Sequence, residues 1–345
     1  MALADRTLDL VNIPSESRSE AAAHAYVAGA VPLEPAFDDG ETLLFAKRTG
    51  RPLVLLAGHL DTVPAQGNLP GRIEDGAVVG LGATDMKGGL AVMIELACWA
   101  AETELARDVG FLFFPREELG PAENPLPGLF EATPIVDEAE LVICLEPTDN
   151  TLQLGCLGNL NAQVVFEGRS AHSARPWLGV NAIALALEGL RPVLESEPRD
   201  AEVGGLVFRE VMSVTQLNAG IAANVIPARA EATINFRYAP DRTPESAEAR
   251  IRELFGDAAE VTSNSPAAHV AAGSPLVEAL REVGGFEVQP KQAWTNVADF
   301  AARGLDAVNL GPGATRYAHA VDERVEIAEL ERTYSALQRF LLGTV

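Results

Sequence analysis

Histidine and carboxylate side chains follow several apolar runs of this sequence, at the points where the runs end. The runs are PLVLLAG, VGFLFFP, AELVICL and AVNLGPG, and each has the length and composition of a buried strand. The residues that follow them are His59, Asp61, Glu117, Glu118, Glu146 and, a few positions beyond the last run, His319. In an open α/β sheet, ligands bind beyond the carboxyl ends of the strands, which meet at one edge when the strands are parallel. We therefore expect these six side chains to converge.

Asp85 stands between the turn GLGAT and a segment of helical length, MKGGLAVMIELACWAAETE. This position can reach the same sheet edge, but it also suits an ordinary helix N-cap. The other residues have equally ordinary alternatives, because a histidine or a pair of acids after a strand is commonly a solvated loop. Their shared position at strand ends favours a site.

The types of these residues suit a pair of metal ions bound by imidazoles and carboxylates. Side chains at i and i+2 of a strand point the same way, so His59 and Asp61 share a face. Adjacent side chains diverge, so one of Glu117 and Glu118 can bind metal while the other faces substrate. A metal hydrolase needs this division, because metal activates water and a free carboxylate takes its proton.

The elements that must position these residues predict an α/β catalytic domain interrupted by a second domain. Strands alternate with helices over the first 150 residues, which predicts a mixed, mostly parallel sheet with helices on both faces. From Gly158 the order becomes β-α-β-β-α-β, which is typical of a ferredoxin-like α+β layer. We predict a catalytic domain over 1–157 and 269–345 and an inserted domain over 158–268. The first helix is expected over 5–30 and the last over 328–342.

Composition narrows the class of protein. The 345 residues are 48% hydrophobic and carry a formal charge of −23, which argues against nucleic acid or an anionic membrane as a partner. The N-terminus lacks the apolar core of a signal peptide, and no apolar run reaches the length of a membrane span. The three cysteines are an odd number and lie in apolar surroundings of a large chain, so we expect a reducing cytoplasm rather than disulfides. They lack the CxxC pair that is typical of a thiolate zinc site.

The motifs GHLDTVP, GLGATDMKGGLA, EE, EPT and the late AH resemble those of the M20 family of dizinc aminoacylases and peptidases. The resemblance covers essentially the whole chain, and it is greatest to members that hydrolyse N-succinyl-LL-2,6-diaminopimelate. It implies two zinc ions, for which cobalt can substitute. It also implies that the inserted domain is a lid that makes a homodimer.

The resemblance also implies roles for the strand-end residues. His59 and Glu146 would bind one metal, His319 and Glu118 the other, and Asp85 would bridge the two. Glu117 would be the general base and then the general acid. Asp61 would orient His59, as carboxylates behind metal-bound histidines do. The peptide bond Asp85–Met86 is expected to be cis.

Further residues match substrate contacts of the family: His172, Asn224, Arg237, Thr295, Gly311 and Gly313. His172 would reach the partner's active site and stabilise an oxyanion, and Arg237 would bind a substrate carboxylate. From local sequence alone, His172 would be a surface or interface histidine, Arg237 a strand-surface charge, and the Gly311–Gly313 turn a tight bend. The chain departs from the family at four further positions that bear on the substrate: Leu157, Asn159, Asn161 and Asn296.

The function predicted from the sequence is hydrolysis of the succinyl amide of N-succinyl-LL-2,6-diaminopimelate, in lysine and diaminopimelate biosynthesis. One alternative is another small amide of the same family, such as N-acetylornithine, an N-acyl amino acid or a dipeptide. An alternative of a different class is a catalytically silent metal-binding dimer.

Overall fold

The structure is a computed structural model that describes residues 2–344, and these form two compact units. The first unit contains the chain up to Leu154, Ala271–Gln289 and the chain from Asp299 onward. The second contains Gly155–Val270 and Pro290–Ala298. The sequence predicts that the last of these ranges is part of the catalytic domain. It belongs to the second unit because Trp294 Nε1 donates to Pro266 O (3.2 Å) and Gln292 Oε1 accepts from Arg209 N (3.1 Å).

The first unit is built on an eight-stranded sheet whose four central strands are parallel. The expected mixed, mostly parallel α/β sheet is therefore confirmed. All residues of the strands Leu53–His59 and Asp108–Phe114 are buried, as continuous apolar runs predict for a parallel sheet. In spatial order the strands are Pro35–Asp38, Leu43–Lys47, Asp108–Phe114, Leu53–His59, Ala139–Cys144, Ala307–Asn309, Leu152–Leu154 and Val288–Pro290.

Helices and a small antiparallel sheet complete the first unit. The sheet contains Arg72–Glu74, Ala77–Val79 and Arg324–Glu326. The α-helices are Leu3–Val11, Ala21–Ala30, Gly88–Glu102, Leu126–Ala132, Pro275–Gly284 and Ile327–Leu342, and Val297–Ala302 crosses from the second unit into the first. Short 3₁₀ turns are Pro121–Glu123, Pro134–Glu138 and Thr315–Tyr317.

The prediction of a single helix over residues 5–30 is wrong, because two helices, Leu3–Val11 and Ala21–Ala30, occupy this range. They are separated by a segment containing Pro14, and a proline disfavours helical backbone at the residue before it. The segment instead bonds to the chain beyond strand Leu53–His59: Ser17 N donates to Thr62 O (3.1 Å) and Thr62 N to Ser15 O (3.0 Å).

Asp85 is not a helix cap. It lies in a turn with π-helical hydrogen bonding, Ala83–Lys87, where its φ of −121° and ψ of 95° are not helical. The α-helix begins only at Gly88. The Asp85–Met86 peptide bond is cis, as the resemblance implied.

The second unit contains the elements of the expected β-α-β-β-α-β order and one strand more, because Arg199–Val203, which was not predicted, pairs with Leu206–Ala219 as a hairpin. Its sheet is antiparallel, with Arg199–Val203, Leu206–Ala219, Arg229–Tyr238, Gly158–Glu167 and Ala259–Ser265 in spatial order. The helices are Ala182–Gly189, Arg191–Leu194 and Pro244–Phe255. Buried residues alternate with half-buried ones along Arg229–Tyr238, so one face of the sheet packs on the helices. A two-stranded ladder, Ala171–His172 with Val225–Ile226, and the 3₁₀ turns Pro176–Leu178 and Gly256–Ala258 lie outside this sheet.

None of the helices within residues 2–344 combines the length and apolar composition that a bilayer crossing requires.

Candidate active site

The carboxyl ends of three neighbouring parallel strands bring the predicted ligands together in the first unit. His59 ends one strand, Glu117 and Glu118 follow a second, and Glu146 follows a third. Ligand atoms lie within 4.8 Å of one another in three overlapping groups. The groups are His59 with Asp85 and Glu146, His59 with Glu117 and Glu118, and Asp85 with Glu118 and His319.

Asp85 joins the two ends of this cluster through its two oxygen atoms. His59 Nε2 lies 3.1 Å from Asp85 Oδ1, whereas His319 Nε2 lies 3.5 Å from Asp85 Oδ2. His59 Nε2 is also 4.0 Å from Glu146 Oε1, and His319 Nε2 is 2.9 Å from Glu118 Oε1. Each imidazole therefore has its own terminal carboxylate and shares the central one, which is the donor arrangement that two cations require.

The cluster has a strong preference for positive charge. Burial by itself lowers the pKa of His59, but contacts with Asp61, Asp85 and Glu146 hold that pKa well above its ordinary value. The hydrogen bond with Glu118 raises the pKa of His319 to about 9. The imidazoles and carboxylates are the donors that Zn²⁺ prefers, so the residues present fit a divalent metal centre.

Glu117 lies among the charged groups of this cluster. Burial and the neighbouring carboxylates, Glu146 first among them, raise the pKa of Glu117 well above the ordinary range, while His59 opposes the shift. A raised pKa makes the carboxylate a better proton acceptor, which a group that takes up and returns a proton needs. This is the property that acid–base catalysis needs.

Asp61 connects His59 to the turn that carries the two glutamates. Its backbone carbonyl is the nearest partner of His59 Nδ1, at 3.0 Å, and its carboxylate Oδ1 lies at 3.4 Å. The carboxylate accepts shorter bonds from Glu117 N (3.0 Å), Glu118 N (3.2 Å) and Ser17 Oγ (2.8 Å). The fully buried Asp61 therefore holds the Glu117–Glu118 backbone as well as the ring of His59. Ser17 was not predicted, because nothing in its local sequence indicates a partner 44 positions away.

Glu323 was also missed by the sequence analysis. It is 1% exposed, and its carboxylate accepts main-chain N–H bonds from Gly82, Thr84 and Asp85. Burial raises the pKa of Glu323 to about 7, although these N–H groups act in the opposite direction. The one available signal was its position four residues after His319.

The remaining predicted residues are divided between the units. His172, Asn224, Arg237 and Thr295 lie in the second unit, and Gly311 and Gly313 lie in the first. His172 and Asn224 are neighbours, because Ser173 N donates to Asn224 O (3.0 Å). His172 is exposed, and its Nδ1 accepts from Ala174 N (3.0 Å), so the proton of the neutral ring is on Nε2.

Arg237 is half-buried, and burial lowers its pKa. Within residues 2–344 it forms no ion pair, and its guanidinium has one hydrogen bond, from Nε to Asn235 Oδ1 (3.0 Å). The amide of Asn235 donates in turn to Asn159 Oδ1 (2.8 Å) and Asn161 Oδ1 (2.9 Å). Two of the four departures from the family thus fix the side chain that contacts Arg237. A third, Leu157, is 2% exposed and packs in a core with Phe208.

The Gly311–Gly313 turn is engaged in internal hydrogen bonds. Gly311 N donates to Thr148 Oγ1 (3.1 Å) and Gly313 N to Glu329 Oε2 (2.8 Å). A Cβ at Gly311 would lie 2.5 Å from the backbone oxygen of Glu146, so glycine is required for this close approach. The predicted contacts of this turn and of Thr295 with substrate stay predictions.

The fold and this donor set define a metal-dependent amide hydrolase. Residues 55–343 match the pattern of peptidase family M20/M25/M40. The chain is 38% identical, over 98% of its length and 97% of the relative, to "Putative succinyl-diaminopimelate desuccinylase DapE" of Mycobacterium tuberculosis. It is 35% identical to succinyl-diaminopimelate desuccinylase of Corynebacterium glutamicum, over 85% of this chain and 83% of that one. The aminopeptidase PepT of Bacillus cereus has a similar fold, with a TM-score of 0.80 at 20% identity over 99% of this chain and 98% of that one. The chain belongs to peptidase family M20/M25/M40.

Proposed function

We propose that this protein is a two-zinc hydrolase that converts N-succinyl-LL-2,6-diaminopimelate and water to succinate and LL-2,6-diaminopimelate. The observation that carries the proposal is the position of Asp85, which offers one oxygen to each of two imidazole–carboxylate pairs. The substrate is suggested by the names of the Mycobacterium and Corynebacterium relatives. Cys98, Cys144 and Cys156 form no disulfide bond within residues 2–344, which suits the cytoplasm, where we propose that the enzyme acts.

Five residues are proposed to hold the metals. His59 and Glu146 would hold one zinc ion, Glu118 and His319 the other, and Asp85 both. Bound zinc supplies a polarised amide carbonyl and a water of lowered pKa. Cobalt is expected to substitute, because it accepts the same nitrogen and oxygen donors.

Glu117 is the proposed general base and acid. Its carboxylate takes a proton from the attacking water as the new C–O bond forms, and returns it to the amine nitrogen as the C–N bond breaks. Its raised pKa supports the second of these steps, and the hydrogen bond that its backbone N–H donates to Asp61 Oδ1 keeps it in place. Asp61 itself is proposed to act by orienting His59 and the Glu117–Glu118 turn.

The second unit is proposed to recognise the substrate. His172 has its Nε2 proton available for a developing oxyanion. Arg237, which has no ionic partner within residues 2–344, would bind a substrate carboxylate through its planar fork. Asn224, beside His172, and Thr295 are the remaining proposed substrate contacts of the second unit, and Gly311 and Gly313 are those of the first.

The second unit is also proposed to form a homodimer. Within the described chain, residues 211–219 of its strand Leu206–Ala219 pair on one side only. Large apolar side chains are exposed in the same unit, among them Trp177 (74%), Leu194 (60%) and Ile221 (86%). An unpaired edge together with exposed apolar residues is typical of an interface. Sedimentation should show a dimer that Leu194→Glu weakens, and a monomeric wild type would contradict this assignment.

The substrate proposal is tested by measuring succinate release from zinc-loaded protein, with and without a chelator. The panel should include N-acetylornithine, N-acyl amino acids and dipeptides at equal concentrations. We expect N-succinyl-LL-2,6-diaminopimelate to have the highest kcat/KM and the chelator to abolish its hydrolysis. If another amide is hydrolysed faster, that amide would replace N-succinyl-LL-2,6-diaminopimelate as the proposed substrate. If the protein binds zinc but hydrolyses no amide, a catalytically silent metal-binding protein would be favoured.

A further inference from the structure

The carboxylate of Glu323 is buried and has no ion pair with any side chain within residues 2–344. Its partners are three main-chain N–H groups: Oε2 accepts from Gly82 (2.7 Å), and Oε1 accepts from Thr84 (3.1 Å) and Asp85 (3.0 Å). Burial of a charged group is unfavourable unless it is compensated by such bonds. The three donors, in turn, would otherwise be unsatisfied in a buried turn.

The turn that Glu323 holds is the one that presents Asp85. Further contacts tie the same two segments together: Gly80 N donates to the backbone oxygen of Glu323 (2.9 Å), and Thr84 Oγ1 donates to Arg324 O. The backbone of Asp85 is therefore fixed from the side of Glu323, while its carboxylate faces His59 and His319.

Glu323 also belongs to the segment that presents His319. Ala320 N donates to Tyr317 O (3.1 Å) and Glu323 N to Ala320 O (3.2 Å), so consecutive turns connect the two residues. One carboxylate thus links the backbone that carries the central ligand to the backbone that carries one of the terminal ligands. A change in this link would alter the spacing between Asp85 and His319.

We propose that Glu323 is a positioning residue of the metal centre. It sets the separation of Asp85 and His319, and thereby the affinity for the second cation, which is the one that Glu118 and His319 are proposed to bind. The proposal rests on the proposed two-metal function. Glu323 touches neither reacting atoms nor the proposed ligand side chains, and acts through main-chain bonds. Residues behind metal ligands typically change metal affinity by about 10- to 100-fold.

The chain offers a matched control in Asp108. This residue is 2% exposed, and its carboxylate accepts main-chain N–H bonds from Thr49, Gly50 and Arg51. It is also a buried clamp of a turn in the first unit. It lies at the amino end of the strand Asp108–Phe114, about 20 Å along that strand from the metal-binding edge.

The experiment compares Glu323→Ala, Glu323→Gln and Asp108→Ala with the wild type. Zinc affinity is measured by competition with a chromophoric chelator, and stability is measured by unfolding of the metal-free proteins. The values of kcat and KM are measured with the best substrate of the panel. In Glu323→Gln the amide oxygen can keep the Thr84 and Asp85 bonds, but the NH₂ group then faces the N–H of Gly82.

We expect Glu323→Ala to weaken the second zinc site about 10- to 100-fold and to lower kcat, with KM within about twofold of wild type. Glu323→Gln should give a smaller loss in the same direction. Asp108→Ala should lower stability but leave both zinc affinities and kcat unchanged.

Unchanged zinc affinities in Glu323→Ala, with a loss of stability like that of Asp108→Ala, would overturn the proposal. If Glu323→Ala does not fold, wild-type zinc affinity in Glu323→Gln overturns it equally. Failure of the proposed function is a separate result, because wild-type protein would then bind fewer than two zinc ions or hydrolyse no amide.

Discussion

The substitution Asp61→Asn tests how the candidate site is held together. Each carboxylate oxygen of Asp61 faces two donors. Oδ1 lies 3.0 Å from Glu117 N and 3.4 Å from His59 Nδ1, and Oδ2 lies 2.8 Å from Ser17 Oγ and 3.2 Å from Glu118 N. Asparagine has nearly the same shape but presents one oxygen and one NH₂ group.

The cost of this substitution follows from which donors can adapt. With the NH₂ group at the Oδ2 position, the Glu117 bond is kept and the Ser17 hydroxyl can rotate to accept. The main-chain N–H of Glu118 cannot adapt and is left facing a donor. Loss of one buried hydrogen bond to a charged acceptor costs about 1.5 to 3 kcal/mol. For a unit of this size, that predicts a fall in melting temperature of roughly 3 to 12 °C.

A loss of activity should accompany the loss of stability, because the freed turn carries both Glu117 and Glu118. We expect kcat to fall about 10- to 100-fold. Thermal unfolding of metal-free protein and succinate release by zinc-loaded protein measure the two effects. Ser17→Ala is the control. It removes a hydroxyl bond to the same charged acceptor, so its cost in stability should be similar, about 1.5 to 3 kcal/mol. It keeps every main-chain bond of the turn, so kcat should stay near the wild-type value.

Wild-type melting temperature and kcat in Asp61→Asn would refute the argument that this carboxylate holds the glutamate turn. A fall in stability with unchanged kcat would show that the exact orientation of the turn does not matter for the reaction.

Three further substitutions probe the proton transfer, the substrate side and the pH dependence of folding. Glu117→Gln should lower kcat about 10²- to 10⁴-fold with two zinc ions still bound per chain, as measured by hydrolysis and metal analysis, and full activity would exclude Glu117 as the base. Asn235→Leu should raise KM for carboxylate-bearing substrates several-fold with little change in kcat, because it removes the one hydrogen bond that orients Arg237; an unchanged KM would contradict this. The pKa of Asp108 is lowered, since hydrogen bonds from Thr49, Gly50 and Arg51 outweigh the opposing effect of burial. A carboxylate whose pKa is lower in the folded state stabilises the protein at pH values above its unfolded-state pKa of about 3.9. This stabilisation is lost as the pH falls through the folded-state pKa. Urea unfolding from pH 7 to 3 should therefore show the stability difference between wild type and Asp108→Asn shrinking only at acid pH, and a difference independent of pH would refute it.

Several features of the fold and the candidate site follow from local patterns in the sequence. Strands such as Leu53–His59 are continuous apolar runs, and parallel pairing brings the residues after them to one edge. For this reason the sequence alone predicts that His59, Glu117, Glu118 and Glu146 lie close together. The break between the first two helices could not be predicted in the same way, because the segment around Pro14 is stabilised by hydrogen bonds to the distant residue Thr62.

Residue types and spacing in the sequence alone therefore predict which side chains cluster and which edge of the sheet they occupy, since both depend on periodicity and chain order. The tertiary structure decided how those side chains are held. Asp85 lies between His59 and His319 rather than at a helix cap. The carboxylate that accepts a hydrogen bond from its backbone, Glu323, is 238 positions away along the chain. Asn159 and Asn161 likewise acquired a role only when the sheet placed them beside Asn235. A buried hydrogen bond depends on which distant donors are brought next to an acceptor, and no local pattern in the sequence carries that information.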